Sequence, residues 1–137
     1  MAKATSAQVL RCRIAESGGA VGPGEARATI RQMSMNGTTV SLDGPWGSFE
    51  ARLGLPGRHN VMNALQAVAA AWAVGLPPAR LSGLISAAKA PPGRLEPVTE
   101  LGDPFAVLVD YAHSDDALRK VLSTLRPLVG PGRTRGP

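Results

Sequence analysis

At 137 residues, 44% of them apolar and 18% charged, the chain has the size of one domain or of parts of two, and it is too apolar to be disordered throughout. Fifteen Lys and Arg against ten Asp and Glu leave a formal charge of +5, yet the basic residues form no block and no aromatics interleave with them, which argues against a nucleic-acid surface. The lone Cys12 excludes a disulfide framework or a cysteine metal site within the chain, and no run reaches the ~18 apolar residues of a membrane span.

The opening Met1-Ala2-Lys3-Ala4-Thr5-Ser6 is not followed by an apolar h-region, so the expectation is a cytoplasmic protein. Residues 8–14 alternate Val9, Cys12 and Ile14 with Arg11 and Arg13, imperfectly, and are expected as a strand; 16–25 is glycine-rich and expected as a loop. Residues 26–33 and 38–42 flank Met35-Asn36-Gly37, and Asn-Gly is the strongest short hairpin signal because both positions tolerate positive φ. A second turn, Asp43-Gly44-Pro45-Trp46-Gly47, leads into 49–55. The expectation for this half is a small antiparallel meander.

At Pro56-Gly57 the period changes. Residues 60–74 are almost pure helix former, with Val61, Leu65, Val68 and Trp72 near one face, and Gly75 with Pro77-Pro78 stops the helix. A second helix over 78–88 has its apolar face at Leu81, Leu84, Ile85 and Ala88. Much of the apolar content here is alanine, which buries little area per residue, so the core is expected to be thin. Ala90-Pro91-Pro92-Gly93 marks a boundary, because two prolines and a glycine cannot continue a helix.

Residues 105–109 form a continuous apolar run, as in a strand buried on both faces, and Asp110 ends it. Ser114 is placed to cap a helix whose first turn holds Asp115 and Asp116 and whose apolar face is Leu118, Val121, Leu122 and Leu125. Strand, short loop and helix make the opening unit of a nucleotide-type α/β domain, and one such unit cannot bury its own faces. With only a loop-like tail over 131–137 after it, the chain is expected to be a fragment.

Three constellations could carry chemistry. In Gly57-Arg58-His59-Asn60-Val61-Met62-Asn63-Ala64, two amides three residues apart at a helix start can project from one side; a carboxamide suits the edge of an adenine ring, and equally Asn60 could simply cap the helix. In Pro92-Gly93-Arg94-Leu95-Glu96 the arginine can present a planar fork to a phosphate or be a solvated linker charge. In Val109-Asp110-Tyr111-Ala112-His113 the acid lies where open α/β sheets put their ligands; it could accept from ribose hydroxyls, with Tyr111 and His113 lining a nucleotide, or merely close the turn. A phosphate loop, a dinucleotide glycine motif, a zinc pattern and a nucleophile elbow are all absent.

In this order and at these separations, Gly57-x-His59-Asn60-Val61-x-Asn63-Ala64-Leu65, Pro92-Gly93-Arg94-Leu95-Glu96 and Val109-Asp110-Tyr111-Ala112-His113 with Asp116-Ala117-Leu118 resemble the Mur ligases, over about residues 53–128. The last stretch resembles the tripeptide synthetase branch, which adds meso-diaminopimelate or lysine to UDP-N-acetylmuramyl-L-alanyl-D-glutamate. The resemblance implies an α/β chain: residues 1–92 as the end of a central ATPase domain (meander plus helix pair), and 93–137 as the first βα unit of a Rossmann-like C-terminal domain. It implies ATP as cofactor, with Asn60 and Asn63 at adenine, Arg94 at a phosphate, Asp110 at ribose, and Tyr111 and His113 flanking the nucleotide. It further implies an acyl-phosphate route to the amide and Mg2+ held by residues outside this chain, which contributes no catalytic or metal-binding residue of its own. Partners implied are the UDP-MurNAc-dipeptide and a diamino acid, with no nucleic acid, no membrane and a monomeric state. Where the family has Thr-Pro after the histidine this chain has Ser114-Asp115, which keeps a capping hydroxyl. Without a triphosphate or magnesium cradle, the fragment is expected to be inactive alone. Alternatives are the C-terminal module of a cyanophycin synthetase-like ligase, and a non-catalytic binding module.

Overall fold

The computed structural model describes residues 8–18, 20–89, 91–99 and 105–129. The opening six residues, Ala90 of the expected boundary and the tail over 131–137 lie outside them.

Four strands, β1 (Arg11–Ala15), β2 (Glu25–Ser34), β3 (Gly37–Gly44) and β4 (Gly47–Leu53), form one sheet in the order β1-β2-β3-β4. The Asn-Gly hairpin is where the residues put it. Gly37 takes φ 126, and a Cβ there would collide with the Leu53 carbonyl, so glycine alone fits. Strands β2, β3 and β4 are the antiparallel meander, but β1 is a correction: it pairs with β2 in parallel, Arg11 opposite Glu25 and Ala15 opposite Thr29. Side-chain alternation is the same whichever way a strand runs, so the residues of β1 carried no sign of its direction; the glycine-rich return over 16–24 is long enough to carry the chain back to the starting end.

Helix α1 (Arg58–Ala73) lies on this sheet and α2 (Pro78–Ala87) follows after the Gly75 stop, where φ is 92. The core is the layer between sheet and α1: Ala26, Ala28, Val40 and Leu42 meet Val61, Leu65 and Val68, with Leu81 from α2 closing one side. Trp46 meets Trp72 edge-on at 6.4 Å at the rim of this layer, adding a large aromatic contact to a core otherwise rich in alanine. Between Ala26 and Ala28, Arg27 is buried too, its guanidinium 2.9 Å from Asp43. Helix α2 also touches the sheet's far edge: Ser82 Oγ donates to the Glu50 carbonyl at 3.0 Å, and the Arg52 N–H donates to Ser86 Oγ at 3.3 Å. Leu84, expected on the packed face of α2, is 46% exposed, because only Leu81 and Ile85 reach the core.

Beyond the prolines the chain forms β5 (Glu96–Pro97), β6 (Leu108–Val109) and α3 (Asp115–Leu125), then one 3-10 turn, Arg126–Leu128. The strand expected over 105–109 is reduced to the two residues of β6, paired antiparallel with β5, and Phe105 and Val109 are exposed. Burial on both faces is therefore a second correction: among the described residues no layer covers either face of this ladder. Helix α3 begins as its residues dictate, with Ser114 Oγ accepting from the Ala117 N–H at 3.3 Å, and with Asp115 and Asp116 in the first turn. It has a strong apolar stripe but buries no residue fully; Leu118 and Leu122 are exposed and Val121 and Leu125 half-buried.

Candidate functional site

The three constellations meet along one cleft between α1 and the second half of the chain. A cavity of about 380 Å³ lies against α1 and the end of α2, lined by Asn60, Asn63, Lys89 and Arg94 among others. A second cavity of about 770 Å³, between the start of α1 and α3, is lined by His59, Asn60, Arg94, Asp110, Tyr111 and Lys120 among others. Asn60 and Arg94 line both, so the two spaces adjoin.

The start of α1 is shaped by Gly57, the N-cap, at φ 107; no side chain caps this helix. A Cβ on Gly57 would sit 2.8 Å from the His59 ring and 3.1 Å from Thr124 of α3, so this glycine lets α3 approach α1. Asn60 is buried, and its amide donates to the Pro56 carbonyl at 2.7 Å. It neither caps the helix N–H groups nor projects freely. Asn63, one turn on, is exposed and makes no side-chain hydrogen bond among the described residues. The pair thus divides: one amide anchors the turn, the other is free to meet a ligand.

Arg94 sits in a turn with two left-handed residues beside it, Gly93 at φ 70 and Leu95 at φ 47. Leucine rarely adopts this conformation, because its Cβ crowds the following carbonyl at roughly 1–2 kcal/mol. Here the Leu95 side chain is 1% exposed and its N–H donates to Asp110 Oδ2 at 2.9 Å. The other Asp110 oxygen accepts from the Ala112 N–H at 2.8 Å, Tyr111 N–H donates to the Gly93 carbonyl at 2.8 Å, and Gly93 N–H donates to Glu96 Oε2 at 2.8 Å. Asp110 therefore binds the turn carrying Arg94 to the loop before α3, and each of its carboxylate oxygens, beside the larger cavity, retains a lone pair.

Tyr111 is 82% exposed. The His113 ring meets it edge-on at 5.3 Å, and His113 Nδ1 lies 2.9 Å from the Tyr111 carbonyl oxygen, outside the lining of both cavities. Positive charge dominates the cleft: Lys89, Arg94 and Lys120 line it, Lys120 within 2.6 Å of Asp116. His59, Lys89, Glu96 and Lys120 were assigned no role from the sequence; of these only His59 and Glu96 sit within the quoted motifs. Among the described residues no group of three or more His, Cys, Asp and Glu is placed to hold a metal ion, and no helix is long and apolar enough to cross a membrane.

No family model matches the chain. Individual proteins do. It is 39% identical over 104 residues to a UDP-N-acetylmuramyl-tripeptide synthetase of Roseiflexus sp. (strain RS-1), covering 76% of this chain and 20% of that protein. It is 41% identical over 102 residues to a UDP-N-acetylmuramoyl-L-alanyl-D-glutamate--2,6-diaminopimelate ligase of Synechococcus sp. (strain WH7803), covering 72% and 20% respectively. A solved structure of a ligase of that same name superposes with a TM-score of 0.58 at 33% identity, over 76% of this chain and 21% of that one.

The proteins it is similar to are thus Mur ligases, ATP-dependent enzymes that form C–N bonds in peptidoglycan precursors. Its curated homologues are the UDP-N-acetylmuramyl-tripeptide synthetases and the corresponding 2,6-diaminopimelate ligases, and the chain spans about a fifth of their length.

Proposed function

We propose that this chain supplies one wall of the ATP cleft of a ligase that adds 2,6-diaminopimelate or lysine to UDP-MurNAc-L-Ala-D-Glu. The observation that supports this is the convergence of Asn60, Asn63, Arg94, Asp110 and Tyr111 on two adjoining cavities. The donor set suits a nucleoside polyphosphate. Asn63 offers a free carboxamide to the adenine edge, and Asn60 holds that end of the helix. The Arg94 fork meets phosphate oxygens, and the remaining lone pairs of Asp110 accept from ribose hydroxyls. Tyr111 flanks the base or sugar, and His113 acts only through Tyr111. ATP supplies the phosphoryl group that activates the substrate carboxylate; the residues here bind and orient the nucleotide. A cytoplasmic setting and a monomeric state go with this reading, and residues 1–92 and 93–137 are its two domain portions. These relatives lend no support to a cyanophycin synthetase-like module.

Titration with ADP tests the site. Replacing Asn63 with Ala lowers affinity by about two- to tenfold, the worth of one hydrogen bond. Asp110→Ala lowers it further, because it also frees the Arg94 turn. Equal affinity in both variants and the parent removes the assignment. The chain alone releases no phosphate and forms no amide with UDP-MurNAc-dipeptide and either diamino acid, since no phosphate loop is present to hold the triphosphate. Measurable turnover overturns that part of the reading.

A further inference from the structure

Arg94 has no side-chain partner of its own among the described residues, so only its backbone fixes where its side chain starts. That backbone is unusual in having left-handed residues on both sides of the arginine, one of them a leucine. A free linker would relax out of such a turn, because a left-handed leucine is strained. Three backbone groups around Arg94 are instead tied down. The Gly93 N–H goes to the Glu96 carboxylate, the Gly93 carbonyl to the Tyr111 N–H, and the Leu95 N–H to the Asp110 carboxylate. Two of the three ties end on the loop that precedes α3, and none ends on α1 or α2.

We infer that Glu96 and Asp110 are positioning residues for Arg94: they close its turn and fasten it to the loop over 110–112, so that the guanidinium travels with the α3 side of the cleft rather than with the sheet and α1. The inference deepens the nucleotide reading above and rests on it only for the identity of the ligand. Glu96 needs no contact with that ligand. It acts by holding Gly93 at 2.8 Å, and so fixes the path of the chain into Arg94.

The test compares Glu96→Ala, which removes the acceptor, with Glu96→Gln, which keeps one carbonyl oxygen at the same reach, each with and without Arg94→Ala. ADP and adenosine affinities are measured by calorimetry, and amide exchange at Gly93 and Leu95 by NMR. Glu96→Ala weakens ADP by about tenfold, the worth of one charge-assisted hydrogen bond to phosphate that a misaligned guanidinium no longer makes, and leaves adenosine within about twofold. Glu96→Gln recovers most of that loss. In the Arg94→Ala background, Glu96→Ala costs nothing more, because the group it positions is already gone. Exchange at Gly93 and Leu95 quickens about tenfold or more in Glu96→Ala and not in Glu96→Gln. Additive losses in the double variant, an equal loss of adenosine, or unchanged exchange overturn the inference. If the parent chain binds neither ligand, the nucleotide reading falls instead, and the exchange rates alone decide the fastening: quickened supports it, unchanged overturns it.

Discussion

Leu95 sets two opposing effects against each other at one residue, and their magnitudes decide the outcome. Its side chain is 1% exposed, so shortening it to Ala forfeits transfer energy and leaves a void, about 2–5 kcal/mol for a buried leucine. Its φ of 47 costs leucine roughly 1–2 kcal/mol, which Ala would still bear and Gly would not. Leu95→Ala therefore loses about 3 kcal/mol of local stability and Leu95→Gly about 2 kcal/mol, burial outweighing strain in both. At ordinary backbone positions the order is reversed, with Gly roughly 0.5–1 kcal/mol worse than Ala. Amide exchange over residues 93–97 and 107–112 measures the difference: about a hundredfold faster opening in the Ala variant, and several-fold slower in Gly than in Ala. If Ala protects these amides as well as Gly does, residue 95 is not left-handed. If Leu95→Ala changes them less than about fivefold, the side chain is not buried, and the account of this turn fails.

Gly57→Ala should cost about 1–3 kcal/mol, from a φ of 107 and from a Cβ 2.8 Å from the His59 ring, and should loosen α3 beside Thr124. Urea unfolding followed by α3 amide exchange checks both parts. Asp43→Asn removes the charge set against the buried Arg27 and should lower stability by about 1–3 kcal/mol; tryptophan fluorescence in urea reads it, since Trp46 hydrogen-bonds to the neighbouring Leu42 carbonyl. Burial pushes the Cys12 thiol above its usual range, so its alkylation rate at neutral pH should rise on unfolding in urea. The sign follows from proton binding. Between the unfolded and folded pKa values the unfolded chain has already lost its proton, so the stability contributed is full below the unfolded pKa and declines as pH rises through the folded one. A pH–alkylation profile with the same midpoint in native and unfolded chain refutes this.

Much of the first half could be read from its residues because local signals there agree with the tertiary structure. Asn36-Gly37 fixes a hairpin, Pro56-Gly57 a change of period, Gly75 and Pro77 a helix stop. The direction of β1 was hidden because alternation carries no polarity. Residues 105–109 misled for a different reason: an apolar run reports what a strand is suited to pack against, and among the described residues nothing packs there. At the site, the motifs identified which residues gather, but not how each is used. Asn60 and Asn63 are the same residue type on one helix turn and both line the cavity, yet the amide of one is tied to the Pro56 carbonyl and that of the other is not. That distinction depends on where the preceding loop lies. The ties of Asp110 and Glu96 to Leu95 and Gly93 likewise depend on a turn whose left-handed leucine no propensity would suggest.

The two serines of α2 have a consequence for the whole sheet. Glu50 and Arg52 present their outward carbonyl and amide at the rim of β4, where a foreign strand could otherwise add, and Ser82 and Ser86 already occupy those two groups. At the opposite rim, β1 has no hydrogen-bonded neighbour on its outer side among the described residues, and it carries Arg11 and Arg13, the latter 3.7 Å from Glu25. An additional strand thus meets two occupied groups at the rim of β4 but open backbone beside β1, where acidic side chains would favour it.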